Sequence, residues 1–131
     1  MRIGDVADRT GVSTRALRYY EQQGLLRARR AANGYREYDE SDLRIVQEIR
    51  SLLAIGFGLE DTRPFVACLR AGHGSGDACP DSVGVYRRKL AELDHLIEQL
   101  VTVRAQVCDH LTHALSQEGS CPKRRPTPPA G

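Results

Sequence analysis

Apolar positions in the first half of the chain fall into short helical runs separated by glycines, and one much longer run follows. Ile3, Val6 and Ala7 recur at helical spacing, and Gly11 suits the left-handed residue that closes a helix. Ser13 is a good N-cap for a second helix, in which Ala16, Leu17 and Tyr20 share one face while Thr14, Arg15, Arg18 and Tyr19 are left to face outward. Gly24 ends that helix, and Leu25 and Leu26 are expected to plug the core beneath what comes next. A basic stretch from Arg27 to Tyr38 carries Asn33-Gly34 at its centre, which predicts a β-hairpin closed by a type I′ turn. Asp39 caps a third helix with Asp42 in its first turn, where a negative charge suits the dipole. Leu43, Val46, Ile49, Leu52 and Leu53 make its apolar stripe, and Gly56 stops it. Leu59 to Arg70 reads as a fourth helix with Phe65, Val66 and Leu69 apolar. Pro64 lies too deep for the first turn and would cost roughly 3 kcal/mol inside a helix, so the spacing predicts a kink or a late start.

Ala71 to Asp81 is rich in glycine and reads as a loop holding His73 and Cys79. Beyond it Leu90, Leu93, Ile97, Leu100, Arg104, Val107, Leu111 and Ala114 repeat with alternating gaps of three and four, the a/d seam of a coiled coil. This predicts one long helix over 82–118. So little chain surrounds it that the simplest cover for its stripe is the same stripe of a second subunit. Arg104 interrupts the seam, as a register-setting residue or a snorkelling side chain would. After Gly119 the tail carries Pro122, Pro126, Pro128 and Pro129 and the basic run Lys123-Arg124-Arg125, and it is expected to be disordered. The expected organisation is thus a head over 1–70, a loop over 71–81, the long helix over 82–118 and the tail over 119–131.

Charge sharpens the picture. The net charge of the 131 residues is only +2, yet Arg9, Arg15, Arg18, Arg27, Arg29, Arg30 and Arg36 meet a single acid, Glu21, over 9–36. From Glu60 onward nine acids balance nine bases. Two helices joined by a tight turn and followed by an arginine-bearing ribbon form a winged helix-turn-helix, a shape suited to duplex DNA. Arginine suits bidentate contacts to phosphate and guanine. The chain has no apolar run near about 18 residues and so predicts no membrane span. It starts directly on a helix pattern without a secretory leader, and a cytoplasmic location is expected. In that compartment Cys68, Cys79, Cys108 and Cys121 would be free, metal-binding or redox-active rather than structural bridges.

The pattern resembles the MerR family of bacterial transcription regulators over about residues 1 to 118. The likeness rests on Ile3-Gly4-Asp5-Val6-Ala7, Leu17-Arg18-Tyr19-Tyr20-Glu21, Gly24-Leu25, Gly34-Tyr35-Arg36-Glu37-Tyr38, Asp42-Leu43 and Ile55-Gly56-Phe57, in that order and ahead of the long helix. It implies a mainly α protein: an N-terminal winged helix-turn-helix domain with a small β-hairpin wing, a helical connector, and a long C-terminal helix that dimerises as an antiparallel coiled coil. It further implies a homodimer on a palindromic promoter operator, which on effector sensing distorts an over-long spacer so that RNA polymerase can engage and transcription is activated. Carried over by position, Arg15 and Arg18 are expected to contact phosphate or base edges, with Thr14 and Tyr19 beside them in the major groove. Tyr20 is expected to pack in the core. Tyr35 and Arg36 of the wing are expected to grip the flanking backbone.

The resemblance also bears on sensing. Metal-responsive members carry a Cys just before the long helix that meets Cys and His residues following the helix of the other subunit. Cys79 matches the first position. His113 and Cys121, with Cys108 as a further member, are the counterparts this chain offers, and zinc or copper(I) is the ion class such donors suit. The match is incomplete, because no close Cys pair follows the helix. The clustered cysteines of an iron–sulfur member are also missing. A thiol-based redox or electrophile sensor using Cys68 and Cys79 across the loop is the alternative, and an organic ligand or no effector at all stays open. An architectural DNA-binding protein without an effector is a competing class, which the long helix disfavours. A catalytic function is not expected: the sequence has no phosphate-binding glycine loop, nucleophile elbow or paired catalytic carboxylates.

Overall fold

The structure is a computed structural model that describes residues 1–27 and 29–115. The disordered tail expected over 119–131, and Cys121 within it, lie outside the described residues. Helix α1 (Ile3–Thr10) ends on Gly11 at φ 74°, whose N–H donates to the Ala7 carbonyl. Helix α2 (Thr14–Gln22) starts on Ser13, whose hydroxyl oxygen accepts the Ala16 N–H at 3.1 Å. Strands β1 (Arg29–Arg30) and β2 (Arg36–Glu37) pair antiparallel, with Arg29 opposite Glu37 and Arg30 opposite Arg36. Helix α3 (Glu40–Ala54) follows, then a 3-10 turn (Glu60–Thr62), helix α4 (Arg63–Arg70) and helix α5 (Pro80–Ala114).

The wing turn differs from the expected one. Gly34 N–H donates to the Ala31 carbonyl at 2.9 Å, and Ala31 N–H donates to Tyr35 at 2.8 Å. The turn therefore closes one residue early. Gly34, at φ +83°, is the left-handed residue after the turn rather than one of its two central residues. Asn33 Oδ1 takes the Tyr35 N–H at 3.2 Å, a side-chain bond that competes with the tighter turn. Pro64 resolves as a late start: it lies in the first turn of α4, where its missing N–H costs nothing, and the preceding residues form the separate 3-10 turn. Helix α5 begins two residues before the expected position, with Pro80 at its first residue.

Contacts divide the chain into a unit over Met1–Lys89 and a second from Leu90 onward. In the first unit, Val6, Leu17, Tyr20, Leu25, Leu26, Tyr38, Leu43, Val46, Ile49 and Val66 form one buried cluster. A second cluster joins Leu52, Phe57, Phe65 and Val85, with Tyr86 against it. The Phe65 and Tyr86 rings meet edge-on at 5.1 Å, and Phe57 lies 6.4 Å from Phe65 and 6.0 Å from Tyr86. This aromatic cluster carries the first unit past the expected boundary at 70 and into the opening turns of α5.

Three arginines fasten the helix-turn-helix from behind. Arg50 of α3 donates to the Thr10 carbonyl at the end of α1. Arg63 of α4 donates to the Gln23 carbonyl at 2.8 Å, and Arg70 donates to that of Leu25. Arg50 and Arg63 meet carbonyls that a helix end leaves without an intrahelical partner, and Arg70 meets one in the turn just beyond α2. A Cβ on Gly11 would come within 2.9 Å of the Arg50 guanidinium, so the glycine serves both the left-handed cap and the close approach of the arginine.

Phe65 is fully buried and bridges α4 to Phe57 and Tyr86. Phe65→Ala is expected to cost roughly 3–5 kcal/mol. Urea unfolding followed by circular dichroism checks this: the midpoint should fall at an unchanged slope.

Candidate nucleic-acid interface and thiol cluster

Helix α2 is amphipathic, and burying Leu17 and Tyr20 fixes which side of it is free. Arg15, Arg18 and Tyr19 stand exposed, Tyr19 at 50%, and Thr14 is half-buried in the first turn. The wing places Tyr35 outward at 57% exposure. The two elements share one concavity of about 310 Å³, lined by Arg18 from α2, by Arg30, Gly34, Tyr35 and Arg36 from the wing, and by Arg2 and Ile3 at the start of α1. Arg2 and Arg30 were not among the expected contacts. Arg30 stood in the arginine cluster, but only its strand register shows that it faces this groove. Arg2 comes into place because Tyr38 N–H donates to the Met1 carbonyl at 2.7 Å and the Arg2 guanidinium lies 4.4 Å over the Tyr35 ring.

Arg36 is only partly available to a ligand. It pairs at 3.3 Å with Glu21, whose side chain is 8% exposed and also accepts a hydrogen bond from the Tyr38 hydroxyl. Burial, and then that bond to Glu21, hold the Tyr38 phenol well above its usual range. The only acid inside the arginine cluster is therefore structural, joining α2 to the wing. The wing is tied to α3 as well. Arg29 reaches Asp39 at 2.6 Å and Asp42 at 2.7 Å. Those two carboxylates form a reciprocal capping box, each accepting the other's backbone N–H.

Residues 1–66 match the family model of the MerR HTH family regulatory protein, and residues 43–109 match that of MerR, DNA binding. The chain belongs to the MerR family. It is 32% identical over 114 residues to the HTH-type transcriptional regulator HmrR of Rhizobium leguminosarum bv. viciae, a match covering 87% of this chain and 85% of that protein. It is 35% identical over 111 residues to the HTH-type transcriptional regulator CueR of Escherichia coli O157:H7, covering 82% of this chain and 78% of that protein. Among solved structures it is similar to HiNmlR, a MerR family regulator lacking the sensor domain, bound to promoter DNA. The TM-score is 0.55 at 21% identity, over 88% of this chain and 90% of that one. A MerR family regulator from Bacillus cereus is similar at a TM-score of 0.56 and 23% identity, over 93% of this chain and 87% of that one. The chain is a DNA-binding transcription regulator rather than an enzyme. No described helix is long and apolar enough to cross a membrane.

The cysteines of this MerR-family chain are distributed unevenly. Cys68, buried on α4, and Cys79, half-buried just before α5, are joined as a disulfide with Cα atoms 5.9 Å apart. His73, on the loop between them, completes the only group of three metal-capable side chains among the described residues, its ring and the two sulfurs lying within 4.8 Å of one another. His73 was not singled out as a ligand from the sequence, where a lone loop histidine carries no periodic signal. Of the expected metal donors, Cys121 lies outside the described residues. Cys79 precedes α5, whereas Cys108, which lies 3.7 Å from the Arg104 guanidinium, and His113 lie in its last two turns.

Arg18→Ala and Arg30→Ala are each expected to weaken binding to every duplex tested and to lower the salt dependence of binding by about one counterion. Anisotropy titrations at several salt concentrations read both. A second prediction concerns the clamp between wing and α3. The Ser41 hydroxyl and the Asp42 N–H, with Arg29, hold the Asp39 carboxyl well below its usual range. A carboxylate held this way contributes stability above its unfolded pKa of about 3.9 and loses it as the pH falls further. Asp39→Asn should therefore lower the melting temperature at neutral pH, with the gap from the parent protein closing below about pH 4.

Proposed function

We propose that this chain works as a homodimer on a palindromic promoter operator, distorting the DNA so that RNA polymerase can engage. Thr14, Arg15, Arg18 and Tyr19 of each protomer enter the major groove, and Tyr35 and Arg36 hold the backbone beside it. Such a protein acts in the cytoplasm, where the promoter is. The observation that carries the dimer is the seam on α5. Leu90, Leu93, Ile97, Leu100, Val107 and Leu111 are all exposed in the single chain, Leu90 at 61% and Leu100 at 68%. A stripe of this kind, recurring every three and four residues, needs a matching helix to leave water. A second copy supplies the same stripe, and twofold symmetry then sets two winged heads on one duplex.

The sensing chemistry with a specific observation behind it is the thiol pair Cys68 and Cys79, which lies inside the head-bearing unit. The metal reading that the family resemblance implies sets Cys79 of one protomer against Cys108, His113 and Cys121 of the other. Zinc or copper(I) is the ion class for that metal arrangement.

Analytical ultracentrifugation of the full chain should show dimers at micromolar concentration. The double substitution Leu93→Glu, Leu100→Glu should give monomers that keep a folded head and bind an operator fragment at least about tenfold more weakly, as loss of two-site binding demands. A parent protein that sediments only as monomer would overturn this reading.

A further inference from the structure

The disulfide and the neighbouring imidazole describe one site in two chemical states. We propose that, when reduced, Cys68, His73 and Cys79 of a single protomer together bind one thiophilic metal ion, zinc or copper(I), and that the disulfide is the metal-free oxidised form of the same site.

The donor set argues for this. Two thiolates and an imidazole suit zinc and copper(I) and discriminate against magnesium or calcium. All three donor atoms lie within 4.8 Å of one another, which is close to the spacing that ligands about 2.0–2.3 Å from a shared ion require. With Cα atoms 5.9 Å apart, the two thiolates can turn to flank an ion once the bond between them is broken. The three positions differ in exposure. Cys68 is buried, Cys79 is half-buried and His73 is exposed, so the site has a closed floor and an open mouth through which an ion can enter. The Cys79 carbonyl accepts the Ser82 and Val83 N–H groups as the first residue before α5, where the helix end favours negative charge on a nearby sulfur.

The loop carrying His73 is fastened on both sides. Arg44 of α3 donates to the Gly74 carbonyl at 2.9 Å, and the Ser82 hydroxyl of α5 donates to the Gly76 carbonyl at 2.6 Å. Gly76 lies so close to Glu48 of α3 that a Cβ there would stand 2.8 Å from the carboxylate. Glu48, in turn, is held above the usual carboxylate range by burial and by Asp77. The loop is thus tied to α3 at Arg44 and Glu48, and the first turn of the same helix carries the capping box that Arg29 of the wing grips.

The exchange between states is balanced by a small-molecule disulfide. One cysteine thiolate attacks the external disulfide, forming a mixed disulfide and releasing one external thiolate, and the other cysteine thiolate then attacks the protein sulfur of that mixed disulfide and releases the second. One Cys68–Cys79 bond forms and one external S–S bond breaks. The cysteine sulfurs are oxidised by two electrons, two external thiolates are released, and the ion leaves unchanged. This site differs from the one the family resemblance implies, because it is complete within one protomer and depends on Cys68 and His73.

The site does not rest on the dimer or operator reading, and its test is kept separate from DNA binding. Full-length protein, reduced and stripped of metal under anaerobic conditions, is titrated with cobalt(II) as a coloured stand-in for zinc, and separately with copper(I) against a chromophoric chelator. One ion per chain and a thiolate-to-metal charge-transfer band are expected. Cys68→Ser should abolish the band. His73→Ala, a change at an exposed residue that leaves the fold intact, should weaken binding at least about tenfold, since even outer partners of metal ligands are worth that much. Addition of a small-molecule disulfide to the loaded protein should release the ion and yield the Cys68–Cys79 peptide by mass spectrometry. No ion bound by the parent protein, or binding of unchanged affinity and spectrum in both variants, would overturn the site. Gel shifts of the same proteins read the regulator function independently: intact DNA binding with no ion bound defeats the site alone, and ion binding with no DNA retained defeats the operator reading alone.

Discussion

The head depends on three guanidinium groups that hold the ends of two short helices. Helices of eight and nine residues are too short to persist by propensity alone. Here Arg50, Arg63 and Arg70 reach the Thr10, Gln23 and Leu25 carbonyls from α3 and α4, about forty residues further along the chain. The cations satisfy acceptors that would otherwise face a half-apolar boundary, and they oppose the partial negative charge there. Because two of the carbonyls sit at helix ends and the third in the turn just past α2, the contacts fix the orientation of α2 as well as its existence. Burial of Leu17 and Tyr20 then leaves Arg15 and Arg18 with one direction to point.

Much of this was legible from the chain. Helix periodicity, Ser13 and Asp39 as caps, and the glycines at 11, 24 and 56 define local events, each decided by a few neighbouring atoms. The seam on α5 was legible for the same reason, since its spacing is a property of one helix. What escaped was whatever depends on distant partners. Asn33-Gly34 signalled a hairpin, but the side chain of Asn33 captured the Tyr35 N–H and moved the turn by one residue. The arginine cluster was visible as charge, whereas its division of labour was not. Arg18 and Arg30 face the groove, Arg29 is a clamp on α3, and Arg36 shares itself with Glu21. Arg2, outside the cluster, joins the groove through the bond from Tyr38 to the Met1 carbonyl and its stacking on Tyr35.

The thiols show a similar division. Cys68 in an apolar run reads equally well as a small core residue and as half of a pair, and sequence spacing cannot separate the two readings. The structure places it at both, buried on α4 and bonded to Cys79. His73 joins them because the loop between α4 and α5 is short and pinned at Gly74 and Gly76, which turns a stretch of weak sequence signal into a well-defined arrangement of donors.

Glu21 links these observations to solution behaviour. A single, nearly enclosed carboxylate joins the inner anchor of the wing, Tyr38, to an outer cation, Arg36. Dissolved ions screen charges on an open surface far more effectively than those held away from water. Raising ionic strength should therefore strip nucleic acid from the groove long before it loosens the ribbon from its neighbouring helix, so the protein comes off its target as an intact reader, ready to rebind.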